Sequence, residues 1–142
     1  MKKKTPRQKI VKKLDKITTE IVRRRDVTCQ KCGRFCSGSN AHKSHVKSKG
    51  AYPHLQFDLE NVMLLCYHCH INWWHKEPTE AGLWFKKTFP ERYKYLEKAK
   101  QDKTHYTESD LEDIYEKYKE ILENFDTPQN DTPQSWGIGG LA

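Results

Sequence analysis

The chain has 142 residues, of which 32% are charged and only 35% are hydrophobic, and its net charge is +7. This length allows one domain with short extensions, and the polar composition limits that domain to a small core. A membrane-spanning helix is excluded because no run approaches the roughly 20 apolar residues that it needs. The lysine-rich start leads into no apolar signal segment. We therefore expect a soluble, cytoplasmic protein with no membrane partner.

Residues 1–26 are predicted to form a basic helical arm. Thr5 and Gln8 stand where a capping box places them, and Pro6 suits the first helical position. One apolar stripe follows at spacings of four, three and four residues, and it consists of Ile10, Leu14, Ile17 and Ile21. The opposite face carries Lys9, Lys12, Lys13 and Lys16, and the last turn carries Arg23, Arg24 and Arg25.

The charge of this arm indicates a polyanionic partner. Residues 1–25 contain eleven basic and two acidic residues, and residues 107–142 contain two basic and nine acidic residues. A basic front of this kind favours nucleic acid, so we predict that Arg23, Arg24 and Arg25 contact DNA. A solvated basic helix face is the alternative.

Two Cys-x-x-Cys pairs, Cys29/Cys32 and Cys66/Cys69, predict a metal site. Four thiolates in two close pairs can complete a tetrahedral structural zinc site. Such a site supplements a small core, since zinc binding contributes roughly 10–16 kcal/mol in small zinc modules. The fifth cysteine, Cys36, is either a free thiol or a replacement for Cys32 as a ligand. Cysteines at metal spacing, instead of a disulfide framework, indicate a reducing compartment.

The segment 27–77 is predicted to be the compact core. Residues 27–35 form a zinc knuckle in which Gly33 makes the tight turn, and residues 41–46 and 61–65 are short strands. A helix begins around residues 66–69 and runs toward Lys76, because Pro78 then ends it.

Residues 78–126 are predicted to form further helices, which begin near Thr79, at Pro90 and at Thr107. The last helix has an apolar stripe between Leu111 and Phe125 that is also suited to a homodimer interface. Residues 127–142 repeat Thr-Pro-Gln without apolar periodicity and are predicted to be a disordered tail.

Inside the cysteine pairs, His45, Asn61 and His70 follow in that order. This layout resembles that of the HNH endonucleases, and the resemblance covers about residues 27–77. It implies an α+β fold in which a small zinc-stapled ββα-metal core carries flanking helices. It also implies a hydrolase that cleaves DNA with the help of a bound metal ion.

A closer resemblance is to the phage lambda NinG (Rap)-type recombination nucleases. It rests on LDKITTEIVRRRDVTCQKCGR and SHVKSKGAYPHLQFDLENVMLLCYHCH, roughly residues 10–75. The resemblance implies a phage-encoded endonuclease that acts on branched DNA during recombination in the host cytoplasm.

The HNH resemblance implies a role for each residue of the series. His45 is the general base, although a structural histidine is the alternative. Asn61 supports the hairpin loop and orients the His45 backbone, or is a plain turn residue. His70 is a ligand of the catalytic metal.

The remaining metal ligands are open at this point. A second ligand is expected four residues after His70, but Trp74 stands there and His75 comes one residue later. Either the helix loosens after Trp73 and His75 binds the metal, or His75 contacts the phosphate, or Asn72 or a water completes the shell. On the strand side Ser44 replaces the usual carboxylate or histidine, and His42 can substitute only if the strand bends.

The predicted catalytic ion is Mg²⁺ or Mn²⁺, and imidazole ligands also allow Zn²⁺ or Ni²⁺. Lys43, Lys47 and Lys49 flank His45 and are predicted to contact DNA phosphates. Two other functions remain open: a zinc-stabilised DNA-binding or adaptor module with a degenerate nuclease site, and a protein that binds a partner through its acidic last helix.

Overall fold

The computed structural model describes residues 2–125, and the predicted disordered tail lies outside them. The main elements in chain order are α1 (Pro6–Asp26), β1 (His42–His45), β2 (Val62–Leu65), a π-helical segment (His68–Trp74), α2 (Pro78–Thr88), α3 (Pro90–Ala99) and α4 (Glu108–Phe125). The described part of the chain is therefore mixed, with a small sheet among helices, as the predicted α+β class requires. No helix in residues 2–125 has the length and apolarity needed to cross a membrane.

The N-terminal helix forms for the local reasons that its sequence indicates. The Thr5 hydroxyl accepts a hydrogen bond from the Gln8 N–H (3.1 Å), and the Gln8 side chain accepts one from the Thr5 N–H (2.9 Å). This reciprocal capping box satisfies two otherwise unpaired donors at the start of the helix. The predicted apolar stripe is buried in the core.

Helix α4 packs against α1 along its length and buries its own stripe, which comprises Leu111, Ile114, Tyr118 and Ile121. The Tyr118 hydroxyl donates a hydrogen bond to the Phe57 carbonyl (2.5 Å) and so anchors α4 to the centre of the chain. The predicted arm, centre and C-terminal helices thus share one core. A homodimer remains a prediction, but the α4 stripe is buried within this chain and a dimer would need another surface.

The sheet contains two antiparallel strands, β1 and β2, with His42 opposite Leu65 and His45 opposite Val62. Each predicted strand is present and slightly shorter than expected. β2 is buried over its whole length, which accounts for its unbroken apolar sequence. α1 packs against both strands.

The segment after β2 differs from the predicted α-helix. Residues His68–Trp74 are π-helical, and the His75 N–H donates to the His70 carbonyl, five residues back, at 3.1 Å. A π-helical turn contains one more residue than an α-helical hydrogen-bonded ring. The chain therefore tolerates the extra residue that separates the two histidines.

Candidate functional site

The four cysteines of the two pairs converge in one cluster. Their sulfur atoms all lie within 4.8 Å of one another, and the sulfurs of Cys32 and Cys66 are 3.8 Å apart. Sulfurs bound at about 2.3 Å to one tetrahedral zinc ion lie about 3.8 Å apart. The cluster can therefore hold a structural zinc ion.

The first cysteine pair is placed by a tight knuckle. The Cys29 N–H donates to the Arg34 carbonyl (2.7 Å), and the Gly33 N–H donates to the Cys29 carbonyl (2.9 Å). Gly33 has a φ of 79°, a conformation that glycine adopts without steric cost. A hydrogen bond from the Gln30 N–H to the Leu64 carbonyl (2.9 Å) joins the knuckle to β2, which leads to the second pair.

The electrostatics of the cluster favour a bound cation. Burial opposes ionisation of Cys29, but backbone N–H groups of Cys32, Cys66 and Lys31 lower its pKa to about 7. Burial and the neighbouring sulfurs raise the pKa of Cys69, because a second thiolate there is unfavourable without a positive charge. Metal binding removes that repulsion.

Cys36 lies outside the cluster. Its thiol is buried and donates to the Arg34 carbonyl at 3.4 Å. Burial and the nearby sulfurs raise its pKa, so it is a protonated thiol at neutral pH. Cys32 keeps its place as the fourth member of the cluster.

Three imidazoles meet beside the cysteine cluster. The Nδ1 atoms of His42 and His70 are 2.9 Å apart, and the ring centroids of His70 and His75 are 4.4 Å apart. The Ser39 carbonyl lies 2.9 Å from Nε2 of His42. A carbonyl can only accept, so that nitrogen carries the proton and Nδ1 of the neutral ring presents a lone pair toward His70.

The spacing of His42 and His70 suits two ligands of a divalent ion, whereas among the described residues the four cysteines are the one group of three or more side chains close enough together to hold a metal ion. Burial, followed by repulsion from His75, His42 and His45, lowers the pKa of His70 to about 4, so its ring is neutral and able to ligate at pH 7. Two nitrogens bound at about 2.1 Å and at a right angle to one ion lie about 3.0 Å apart. The separation of 2.9 Å between His42 and His70 fits this requirement.

Of the alternatives for His75, the structure favours the loosened helix, because the π-helical turn brings His75 against His70. His42 occupies the strand side of the cluster. It is the first residue of β1, where it pairs with Leu65, and it lies two residues after the turn at Gly38–Asn40. The sequence indicated His42 only weakly.

His45 lies on the same strand and near His70, but its ring is held separately. Its Nε2 donates to the Gln56 carbonyl at 3.0 Å, which leaves Nδ1 as the basic nitrogen of the neutral ring. Burial lowers the pKa of His45, so the ring is deprotonated at neutral pH. The Trp74 indole N–H donates to the His45 carbonyl at 3.0 Å. The parts played by Gln56 and Trp74 have no sequence signature, because each depends on a long-range contact.

Asn61 is buried and ties together the loop that follows His45. Its amide oxygen accepts from the Lys47 N–H (2.7 Å), and its amide nitrogen donates to the carbonyls of Lys47 and Leu55, both at 3.0 Å. These contacts hold the loop in place, and a part for Asn61 in a catalytic site stays a prediction. The His45 carbonyl itself is held by Trp74 instead of Asn61.

Two of the predicted phosphate contacts, Lys43 and Lys47, form internal ion pairs. Lys43 reaches the Asp15 carboxylate of α1, and only 7% of its side chain is exposed. Lys47 pairs with Glu97 of α3. An ammonium group that is mostly shielded from water requires such a counter-charge. Both lysines therefore join elements of this chain, and their contact with DNA phosphates stays a prediction.

Arg25 is likewise committed to the interior. It pairs with Asp26 (2.8 Å) and donates to the carbonyls of Leu59 and Val62, each at 2.7 Å. These bonds connect the end of α1 to the start of β2. Arg23 and Arg24 are more exposed and share Glu20, and Lys49 is exposed.

Comparison with known proteins identifies the family. No curated protein and no solved structure matches the chain. The family model described as Bacteriophage Lambda NinG protein matches residues 1–127. This match includes all the described helices, the cysteine cluster and the three imidazoles. The chain therefore belongs to the bacteriophage lambda NinG family.

Proposed function

We propose that this protein is a metal-dependent DNA endonuclease of the HNH type that acts on branched recombination intermediates of a phage in the host cytoplasm. One arrangement carries the proposal: the rings of His42 and His75 lie against that of His70, next to His45, whose Nδ1 is unprotonated. Membership in the NinG family supports the connection with phage recombination. The four cysteines would hold a structural zinc ion that fixes the histidine-bearing segment.

In this proposal His42, His70 and His75 would hold the divalent ion. When bound, the ion neutralises charge that develops on the scissile phosphate and on the leaving oxygen. Of the two predicted ions, Mn²⁺ fits an imidazole set better than Mg²⁺, which prefers oxygen ligands. Zn²⁺ or Ni²⁺ suits these ligands as well.

His45 acts as the general base. Its Nδ1 takes a proton from a water that attacks the phosphorus in line with the leaving 3′ oxygen. The new bond joins phosphorus to the water oxygen, the bond to the 3′ oxygen breaks, and that oxygen takes a proton from solvent, which gives 5′-phosphate and 3′-hydroxyl ends. Gln56 holds the tautomer that this step needs, and Trp74 fixes the backbone of the base.

The experiment compares His45→Ala with His68→Ala in zinc-loaded protein. Supercoiled plasmid and a synthetic four-way junction are incubated with added Mn²⁺, with Mg²⁺, or without either ion. His68 is exposed and contacts only Asn72 among the described hydrogen bonds, so its loss is expected to leave cutting intact. Loss of His45 is expected to lower the rate about 10²–10⁴-fold, the usual contribution of a general base.

The same experiment separates a second candidate, a DNA-binding module with a degenerate nuclease site. The feature that favours it is Ser44, which stands where a carboxylate or histidine is expected and whose buried hydroxyl has no partner among the described residues. Junction binding without cutting under any of the ions would select the module. Undiminished cutting by His45→Ala would overturn the assignment of the base.

A further inference from the structure

Helix α1 presents four exposed lysines on the face opposite its buried stripe. This lysine stripe consists of Lys9, Lys12, Lys13 and Lys16. In the part of the chain between residues 2 and 125, no carboxylate lies within ion-pair distance of these four ammonium groups. The acidic residues of α1 are occupied elsewhere, Asp15 by Lys43 and Glu20 by two arginines. The positive charge of the stripe is therefore not neutralised within the described fold.

A neighbouring ammonium group adds to this uncompensated charge. Lys4 lies beside Lys12 and lowers its pKa, because two cations held close together repel. An anion placed between them relieves that repulsion. Lys13 also lies over the ring of Tyr115 at 4.6 Å, which positions its side chain at the edge of the stripe toward α4.

The stripe passes close to the strand that carries the base. Asp15 lies between Lys12 and Lys16 in α1, and its carboxylate binds Lys43 of β1, two residues before His45. The lysines nearest the base, Lys43 and Lys47, are neutralised by internal partners. The exposed positive charge that remains for a phosphate backbone therefore comprises Lys49, in the loop after β1, and the larger group on α1.

The size of the stripe suits a short stretch of duplex. Lys9 and Lys16 are seven residues apart, which corresponds to about 10.5 Å along a helix axis. Phosphates along one DNA strand advance by about 3.4 Å per base pair, so the stripe spans about three base pairs. The neighbouring helix α4 carries seven acidic and two basic residues, and its Glu123 lines a groove together with Lys13 and Lys16. The net negative charge of α4 makes α1 the more favourable of these two helices for a polyanion.

We propose that the lysine stripe of α1 holds the phosphate backbone of the duplex arm that flanks the scissile bond, an inference that rests on the proposed nuclease function. Phosphate contacts of this kind position the DNA without selecting a sequence. An anionic membrane is the weaker occupant, because an interfacial helix needs a free apolar face. The apolar face of α1 is buried against α4 and the sheet.

The test uses a variant with Gln at all four stripe positions (K9Q, K12Q, K13Q and K16Q). A control with equal loss of charge carries K87Q, K94Q, K98Q and K103Q, whose lysines are exposed in or just after α2 and α3. Glutamine retains a helix propensity similar to that of lysine, so both variants are expected to fold. Binding to a labelled four-way junction is measured by anisotropy from 50 to 200 mM salt, and cutting is measured in parallel.

If the stripe holds the backbone, the slope of log K against log salt becomes shallower by about 3.6 in the stripe variant, about 0.9 for each lost phosphate contact. The control variant is expected to keep the slope of the unmodified protein, and the KM for cutting is expected to rise only in the stripe variant. Circular dichroism and thermal denaturation verify that both variants retain their helices.

Equal slopes in the two variants would overturn the proposed DNA contact of the lysine stripe. The nuclease proposal would stay intact, provided that His45→Ala still lowers the rate of cutting. A second outcome would also overturn the proposed DNA contact, in favour of a membrane surface. In that outcome the stripe variant binds vesicles with anionic headgroups more weakly than the unmodified protein does, but binds the junction equally well. Absence of junction binding by the unmodified protein even at 50 mM salt would remove the proposed function and the stripe together.

Discussion

At the scale of single residues, Val27 stands in an unusual backbone conformation. Among residues 2–125 it is the non-glycine residue with a positive φ, at 65°. The Thr28 N–H donates to the Asp26 carbonyl at 2.6 Å, which closes a γ-turn around Val27 between α1 and the zinc knuckle. A γ-turn with positive φ is rare and strained, above all for a β-branched side chain. This strained turn redirects the chain sharply from the end of α1 into the first cysteine pair.

We predict that Val27→Gly increases the free energy of unfolding by about 1 kcal/mol. Relief of strain contributes about 1–3 kcal/mol, and the greater freedom of glycine in the unfolded chain offsets roughly 0.5–1 kcal/mol of it. Val27 is 46% exposed, so little buried surface is lost. Urea denaturation measures the change, and Val27→Ala is the control because it keeps the Cβ atom and most of the strain. A lower stability of the glycine variant than of the alanine variant would contradict this explanation.

At the scale of elements, the π-helical segment connects the two candidate metal centres. Cys69 belongs to the cysteine cluster, and His70, the next residue, belongs to the imidazole cluster. The π-helical turn then returns His75 to His70 and places the Trp74 indole against the His45 carbonyl. Because π-helical turns are rare and occur frequently at functional sites, this segment supports the assignment of the site.

Deletion of Asn72 is predicted to convert this segment into an α-helix without loss of the site. His70 and His75 then stand four residues apart, a spacing that places both on one face of an α-helix. We expect binding of Mn²⁺ or Ni²⁺, measured by calorimetry on zinc-loaded protein, to weaken by less than about tenfold. Insertion of an alanine after Asn72 is the control, because it rotates His75 by about 100° and is expected to lose binding. Loss of binding in the deletion variant as well would show that the π-helical turn itself is required.

At the scale of the whole molecule, only 35% of the residues are hydrophobic. The single core of the described part includes residues of both its first helix and its last helix. α1 and α4 pack together, and the strands lie against α1. The cysteine cluster closes the region between residues 29 and 69, where only short elements contribute to the core. Zinc binding in such a site contributes to folding itself.

Substitution of one cluster cysteine is therefore predicted to impair folding. Cys32 is the exposed member of the cluster, so Cys32→Ser changes packing little and tests the metal directly. We expect loss of the zinc ion, measured by release to a chromogenic chelator, and a broad thermal transition at lower temperature. Cys36→Ala removes a sulfur outside the cluster and is expected to retain the zinc ion. A Cys32→Ser protein with one zinc ion and a native transition would contradict the assignment of the cluster.

Several parts of the fold could be predicted because they depend on near neighbours in the chain. The capping box of α1, the apolar stripes of α1 and α4 and the two strands follow from spacing and periodicity. The site was less predictable. The pattern predicts roles for His45, Asn61 and His70 that stay predictions, and it gave no sign that Trp74 binds the His45 carbonyl.

The sequence by itself determined the elements, the cysteine cluster as a candidate zinc site and the histidines available for chemistry, since each depends on residue type and local spacing. Only the tertiary structure decided that His42 and His75 join His70, that Lys43, Lys47 and Arg25 are neutralised internally, and that the α4 stripe is buried against α1. The physical reason is that the state of a charge or a lone pair depends on the groups packed around it. Those groups come from distant parts of the chain, and local spacing does not specify them.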